Sequence, residues 1–251
     1  MSVGFVKLID HMGSDKSVVD SARVSYNGKG KSSDERLINF LMKNKHMTPF
    51  EMICVKVHVK CPLFVARQWM RHRTFSYNEI SARYTEMEES FYMPEYIREN
   101  KSKNKQVSTK KDLCGCDEEQ MLRFMKENNE HAYSSYKRLL DQGVAREMAR
   151  GLLNMNYYTE FYCLGNVRNW LNFITLRDAK DAQLEIQEYA KEVANIIKEL
   201  YPLTFQAYES LRASEALVKD ILNDEELFKL ITHEYKVRNN SRTNGDTCNK
   251  R

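Results

Sequence analysis

Residues 53–59 read ICVKVHV, and in this stretch Ile53, Val55, Val57 and Val59 alternate with Cys54, Lys56 and His58. A period of two with β-branched residues on one side predicts a strand with one face in the core and the other wet. Pro62 is suited to the first position of a helix, where its missing N–H would have had no partner, and Leu63 to Arg71 continue with helical character. Before the strand, Ser33 to Lys45 places Leu37, Ile38 and Leu41 at helical spacing, closed by Thr48-Pro49, and Phe5 to Ile9 reads as a short strand.

After the strand, a helix is expected from about Glu119 to Leu140, stopped near Gly143, and another from about Ala145. Tyr157 to Leu164 is rich in aromatics and suits a strand. Val167, Trp170, Leu171 and Ile174 fall at i, i+3, i+4 and i+7, and Ile186, Tyr189, Ala190, Val193 and Ile197 repeat that pattern. Helices therefore dominate. The expected class is α+β: a helix-rich single domain over residues 1–210 around a small, mostly antiparallel sheet, with a helical extension and tail over 211–251. Residues 100–118, NKSKNKQVSTKKDLCGCDE, lack the apolar surface to offset ordering and read as an inserted loop, and the segment from about Lys236 reads as a disordered tail.

Composition narrows the functional classes. The chain has 251 residues, 42% hydrophobic and 29% charged, with 9 Gly and 4 Pro, which excludes a disordered or linker-dominated protein. Lys and Arg exceed Asp and Glu by 39 to 35, a net charge of +4 that does not by itself demand a nucleic acid. Six cysteines at 54, 61, 114, 116, 163 and 248 form no CxxC pair, and Met1–Phe5 shows no basic and apolar leader, so reduced thiols and a cytoplasmic location are expected. Apolar runs are too short to cross a membrane. Cys114 and Cys116 lack two further ligands at finger-like spacing, so no metal site is expected.

Two stretches carry candidate chemistry. Residues 67–84, RQWMRHRTFSYNEISARY, gather Arg67, Arg71, Arg73 and Arg83 with His72, Ser76, Asn78, Ser81 and Tyr84. Arg presents a rigid cationic fork matched to phosphate oxygens, and hydroxyls add donors. On residue types alone this suits either a phosphorylated small ligand or a nucleic-acid backbone with Trp69, Phe75 and Tyr77 as stacking surfaces. The second stretch carries Asn166, Arg168, Asn172 and Arg177 on the 167–177 helix. Arg168 and Asn172 lie about 40° apart and away from the apolar stripe, a polar face able to read a heterocycle or simply to meet water. His46, in HMTPFE, suits a proton carrier or ligand contact as well as a structural role.

Arg71-His72-Arg73, seven residues, Ser81 and then Arg83-Tyr84 resemble the signature of the flavin-dependent thymidylate synthases. The resemblance extends to HMTPFE at 46–51, Ala149-Arg150, the NVRNWLNFITLR run at 166–177 and Ala182-Gln183 with Glu185-Ile186. It implies methylation of deoxyuridine monophosphate (dUMP) to thymidylate (dTMP), with methylenetetrahydrofolate as carbon donor, FAD as hydride carrier and NADPH as its reductant. Gln68, Arg71, Glu79, Ser81, Arg83, Arg150 and Arg177 would surround dUMP. His46, Thr48, Arg71, His72, Arg73, Glu79, Asn166, Arg168 and Asn172 would hold FAD. Arg177 would be the catalytic group, stabilising charge that develops on uracil. The family implies a homotetramer with sites shared between subunits, while the low net charge leans against a nucleic-acid partner and the short apolar runs against a membrane. One departure is Asp181, where family members often carry His.

Overall fold

The computed structural model describes residues 3–27, 32–100, 108–109 and 117–234. Strand β1 (Phe5–Met12) leads into helix α1 (Asp15–Arg23), and α2 (Asp34–Lys43) starts at Ser33, whose Oγ accepts from Arg36 N–H. A one-turn helix at Thr48–Glu51 precedes β2 (Cys54–Pro62), which runs directly into α3 (Leu63–Trp69). Pro62 is the cap of α3 rather than its first residue, and the helix stops at Trp69, two residues short of the expected Arg71. The stop is physical: the Tyr77 hydroxyl donates to Trp69 O at 3.1 Å and to His72 O at 2.9 Å and so draws the next residues into a turn.

Strand β3 (Ser76–Glu79) follows that turn, and a small ribbon pairs β4 (Glu99–Asn100) with β5 (Ser108–Thr109). The rest of the 100–118 segment, with Cys114 and Cys116, and the tail from Lys236 lie outside the described residues. Helix α4 (Glu118–Asp141) closes before Gly143, which has φ 80°, and the helix expected from Ala145 is a single turn, α5 (Arg146–Ala149). Strand β6 (Tyr158–Asn166), α6 (Val167–Arg177), α7 (Leu184–Leu200) and α8 (Pro202–Asn223) complete the named elements. α8 runs unbroken across residue 210.

The sheet is antiparallel throughout, in the order β1-β2-β6-β3. Val55, Val57 and Val59 of β2 stand opposite Gly165, Cys163 and Phe161 of β6, and all six are buried. α3, α6 and α7 cover this face. Its centre is aromatic, with Trp69 at 4.5 Å from Phe173 and Phe75 at 4.3 Å from Trp170, centroid to centroid. The Trp170 indole N–H donates to Val55 O and Gly165 O, both at 3.1 Å, so a polar atom at the core centre keeps its partners. Phe75 packs so closely on Gly165 that a Cβ there would overlap its ring.

Long-range bonds tie the ends of the chain together. Asp15 accepts from Leu203 N–H, Thr204 N–H and the Thr204 hydroxyl at 2.8, 3.0 and 2.6 Å, capping the start of α8 from 188 residues away. On the other face of the sheet Tyr162 and Leu164 are exposed among the described residues, with His58 stacked on Tyr162 at 4.8 Å. Among the described residues no helix is long and apolar enough to cross a membrane.

Candidate active site

Arg177 ends α6 on the same side as Phe173, one turn back, and this carries its guanidinium from the core edge to the turn after α3. There Arg177 Nε–H donates to His72 Nε2 at 3.0 Å, and an Nη2–H donates to Gln68 O at 3.0 Å. The Gln68 amide in turn donates to the Gln183 side chain, just before α7. His72 is buried against Phe173, its ring centroid 5.0 Å away. Burial, and then the charge of Arg177, pull the imidazole from 6.5 down to about 4. At neutral pH it is therefore uncharged, with Nε2 as the acceptor.

Arg177 is itself lowered, by burial first and then by the charge of Arg71, yet it stays cationic at any working pH. Among the described residues no carboxylate forms an ion pair with Arg71 or Arg177, in contrast to Arg98, paired with buried Glu185, and Arg212, paired with Asp178 at 2.9 Å. Two guanidinium groups, one close enough for its charge to lower the other and neither ion-paired to a carboxylate among the described residues, form a site that favours an anion.

A second group surrounds the Thr48–Glu51 turn. α2 ends through Lys45 in the left-handed region (φ 56°), and His46 N–H bonds to Leu41 O at 2.9 Å, which turns His46 outward. His46 and Thr48 line a cavity of about 500 Å³ with Leu37, Phe40, Pro49 and Met52. Phe40 and Met52 are about half exposed, so the cavity offers an open apolar wall. Glu51 pairs with Arg168, which joins this turn to the polar face of α6 where Asn172 is exposed. Asn166 is already used as the helix cap, accepting from Asn169 N–H at 3.0 Å. Asn169 also donates to Thr74 O at 3.2 Å and holds the Arg73-Thr74 turn against α6.

The third group stands beyond the β3 edge. Ser81 Oγ accepts from Arg83 N–H at 3.3 Å, Arg83 pairs with Glu147 of α5 at 3.3 Å, and Arg150 follows in the next turn, exposed. Glu79 accepts from the Thr159 hydroxyl at 2.6 Å. Among the described residues no side-chain hydrogen bond or ion pair joins Ser81, Arg83 or Arg150 to Arg177 or Arg168. The structure thus places the expected residues in three clusters, with Gln183, Glu51 and Glu147 as further partners. Glu51 lay in the HMTPFE motif and Gln183 in the Ala182-Gln183 run, but neither motif shows which side chain its residue meets. Asp181 is exposed.

The family model described as thymidylate synthase complementing protein matches residues 7–203, from β1 to the start of α8. The flavin-dependent thymidylate synthase of Thermus thermophilus is 48% identical over 209 residues, covering 82% of this chain and 76% of that protein. That of Thermosipho africanus is 48% identical over 212 residues, covering 82% and 90%. A crystal structure of the UMP/dUMP methylase PolB from Streptomyces cacaoi bound with 5-Br dUMP is similar, with a TM-score of 0.75 and 35% identity over 82% of this chain and 95% of that one. On the Arg71-His72-Arg73 and Ser81 motif, the matched span and these identities, the chain belongs to the thymidylate synthase complementing protein family, that of the flavin-dependent thymidylate synthases.

Proposed function

We propose that this chain catalyses the reductive methylation of dUMP to dTMP in the cytoplasm, with methylenetetrahydrofolate as one-carbon donor, FAD as the flavin and NADPH as its reductant. The observation that carries the reading is the uncompensated Arg71–Arg177 pair, braced by His72 and the Gln68 carbonyl. A nucleoside monophosphate presents an anionic phosphate and a polarisable carbonyl edge, both of which such a pair favours. The related PolB structure, bound with 5-Br dUMP, supports that substrate class.

The residues also fit a flavin. Its ring system would need an open apolar wall, which the His46 and Thr48 cavity offers, and its pyrophosphate would need cations, for which the candidates are exposed Arg73 and Arg168, the latter paired with Glu51, with exposed Asn172 one turn along α6 from Arg168. When bound, FAD supplies the hydride and one-carbon chemistry that no side chain here can perform. The chain's own work is orientation and electrostatics. Arg177 would stabilise negative charge on the uracil carbonyl as C5 becomes nucleophilic, in the manner of an oxyanion hole. Ser81 is a binding residue: its oxygen already accepts Arg83 N–H, its proton remains free for a phosphate oxygen, and no imidazole bonds to it among the described residues.

The three clusters and the exposed Tyr162 and Leu164 on the outer face of the sheet support a homotetramer whose sites combine residues of several subunits. A catalytically competent monomer in light scattering at assay concentration would sink that part. For the chemistry, desalted protein should show a visible flavin spectrum that NADPH bleaches. Arg177→Ala should lose turnover by at least about 100-fold while keeping its flavin. Colourless protein that FAD cannot reconstitute, or near-normal turnover in that variant, would overturn the reading. Binding of a nucleic acid that weakens steeply with salt is the outcome that would favour a backbone-binding protein instead.

A further inference from the structure

The family resemblance counts His72 among the flavin-binding positions, yet its imidazole is 7% exposed and turned to Arg177. Arg carries five N–H groups in one rigid plane. Nε–H goes to His72 Nε2 and one Nη2–H to Gln68 O, which leaves both Nη1–H groups and the second Nη2–H without a partner among the described residues. Two bonds at different nitrogens define the plane of the fork and its rotation, whereas one alone would leave it free to swing.

We infer that His72 is a positioning residue, which through its Nε2 acceptor fixes the Arg177 guanidinium so that its three free N–H groups are presented to the ligand. Three features of the surroundings support this. The imidazole is wedged between Phe75 and Phe173, at 6.3 and 5.0 Å. Its backbone carbonyl is pinned by the Tyr77 hydroxyl at 2.9 Å, so neither ring nor backbone is placed to move with a ligand. The environment keeps Nε2 unprotonated at neutral pH, because a protonated ring would present an N–H to a guanidinium that has only donors. Gln68 is a second brace, acting through its backbone while its side chain holds Gln183.

The inference rests on the proposed role of Arg177, and the test separates the two. His72→Phe keeps an aromatic ring but removes the acceptor. It should lower kcat by about 100-fold through misplacement of the fork, with the dUMP KM changed by no more than a few-fold and the flavin retained. His72→Gln, whose amide oxygen reaches the place of Nε2, should restore turnover to within about tenfold of the parent. In an Arg177→Ala background, His72→Phe should cost almost nothing more, since the group it positions is gone. Independently of activity, ¹⁵N-histidine spectra of the whole protein should show one imidazole with Nε2 unprotonated from pH 7 down to about 5, and this ring should titrate at higher pH in Arg177→Ala. Parental turnover in His72→Phe beside an inactive Arg177→Ala would overturn the inference alone, as would additive losses in the double variant. Parental turnover in Arg177→Ala would overturn the functional reading first. If His72→Phe does not fold, the spectra decide: a ring with Nε2 protonated at pH 7 refutes the arrangement.

Discussion

The imidazole of His72 is held near 4, against 6.5 in an unfolded chain, and this predicts a specific acid sensitivity of the fold. Above about pH 6.5 the ring is neutral in both states and contributes no pH dependence. As the pH falls from 6.5 towards 4, the unfolded chain binds a proton that the folded chain refuses, so stability is lost through that window and levels off below it. The loss comes to about 2 kcal/mol at pH 5 and about 3 kcal/mol at pH 4, a large part of the stability of an ordinary domain. His72→Gln is the control, because it keeps an acceptor for Arg177 and does not titrate. Urea unfolding, followed by the fluorescence of Trp69 and Trp170, both fully buried beside this site, should be measured at pH 7, 6 and 5 at one protein concentration. The parent should lose about 2 kcal/mol more than His72→Gln between pH 7 and 5. Parallel curves would show that the ring titrates alike in both states and would refute the buried, Arg177-facing placement.

Gly165→Ala should be destabilising by about 1–3 kcal/mol or more, because the new methyl meets the Phe75 ring against the Trp170 cluster; thermal unfolding would show it, and a neutral result would mean Phe75 packs elsewhere. Asp15→Ala should cost about 2 kcal/mol by urea titration, since it strips three donors at the start of α8 of their acceptor, and a loss below about 0.5 kcal/mol would contradict that cap. Glu51→Gln weakens a partly exposed pair with Arg168 and should change stability by less than about 1 kcal/mol; a larger loss would mean that the pair carries part of the fold.

Periodicity made much of the fold legible. The alternation in β2 and the i, i+3, i+4, i+7 stripes of α6 and α7 are direct records of which residues leave water, and their burial follows the expected faces. The stretches that escaped this reading are short or ambiguous. α1 has only three buried residues, Val18, Val19 and Ala22, and went unread. β3 is four residues inside the Arg and aromatic run, and what makes it a strand is its pairing with β6. The one-turn α5 ends at Ala149, and the chain tightens into a further turn at Arg150–Leu152 around Gly151, a change of helix type that periodicity does not record.

The site divides along a similar line. The residue types were visible in the chain: planar cations, hydroxyls and amides grouped in motifs whose chemistry suits a nucleotide and a flavin. Which of them meet was not. His72 and Arg177 are 105 residues apart, and Glu51 and Arg168 are 117 apart. Local sequence therefore determined the elements, their buried faces and the inventory of functional groups, because each of these depends on exposure over a few neighbouring residues. Tertiary structure alone decided that His72 turns inward as an acceptor, that the charge of Arg71 reaches Arg177 with no carboxylate paired to either among the described residues, and that Ser81, Arg83 and Arg150 lie in a cluster of their own. Those outcomes depend on the register of β6 against β2 and β3 and on where α6 ends against the turn after α3, and such long-range geometry leaves no periodic trace in the chain.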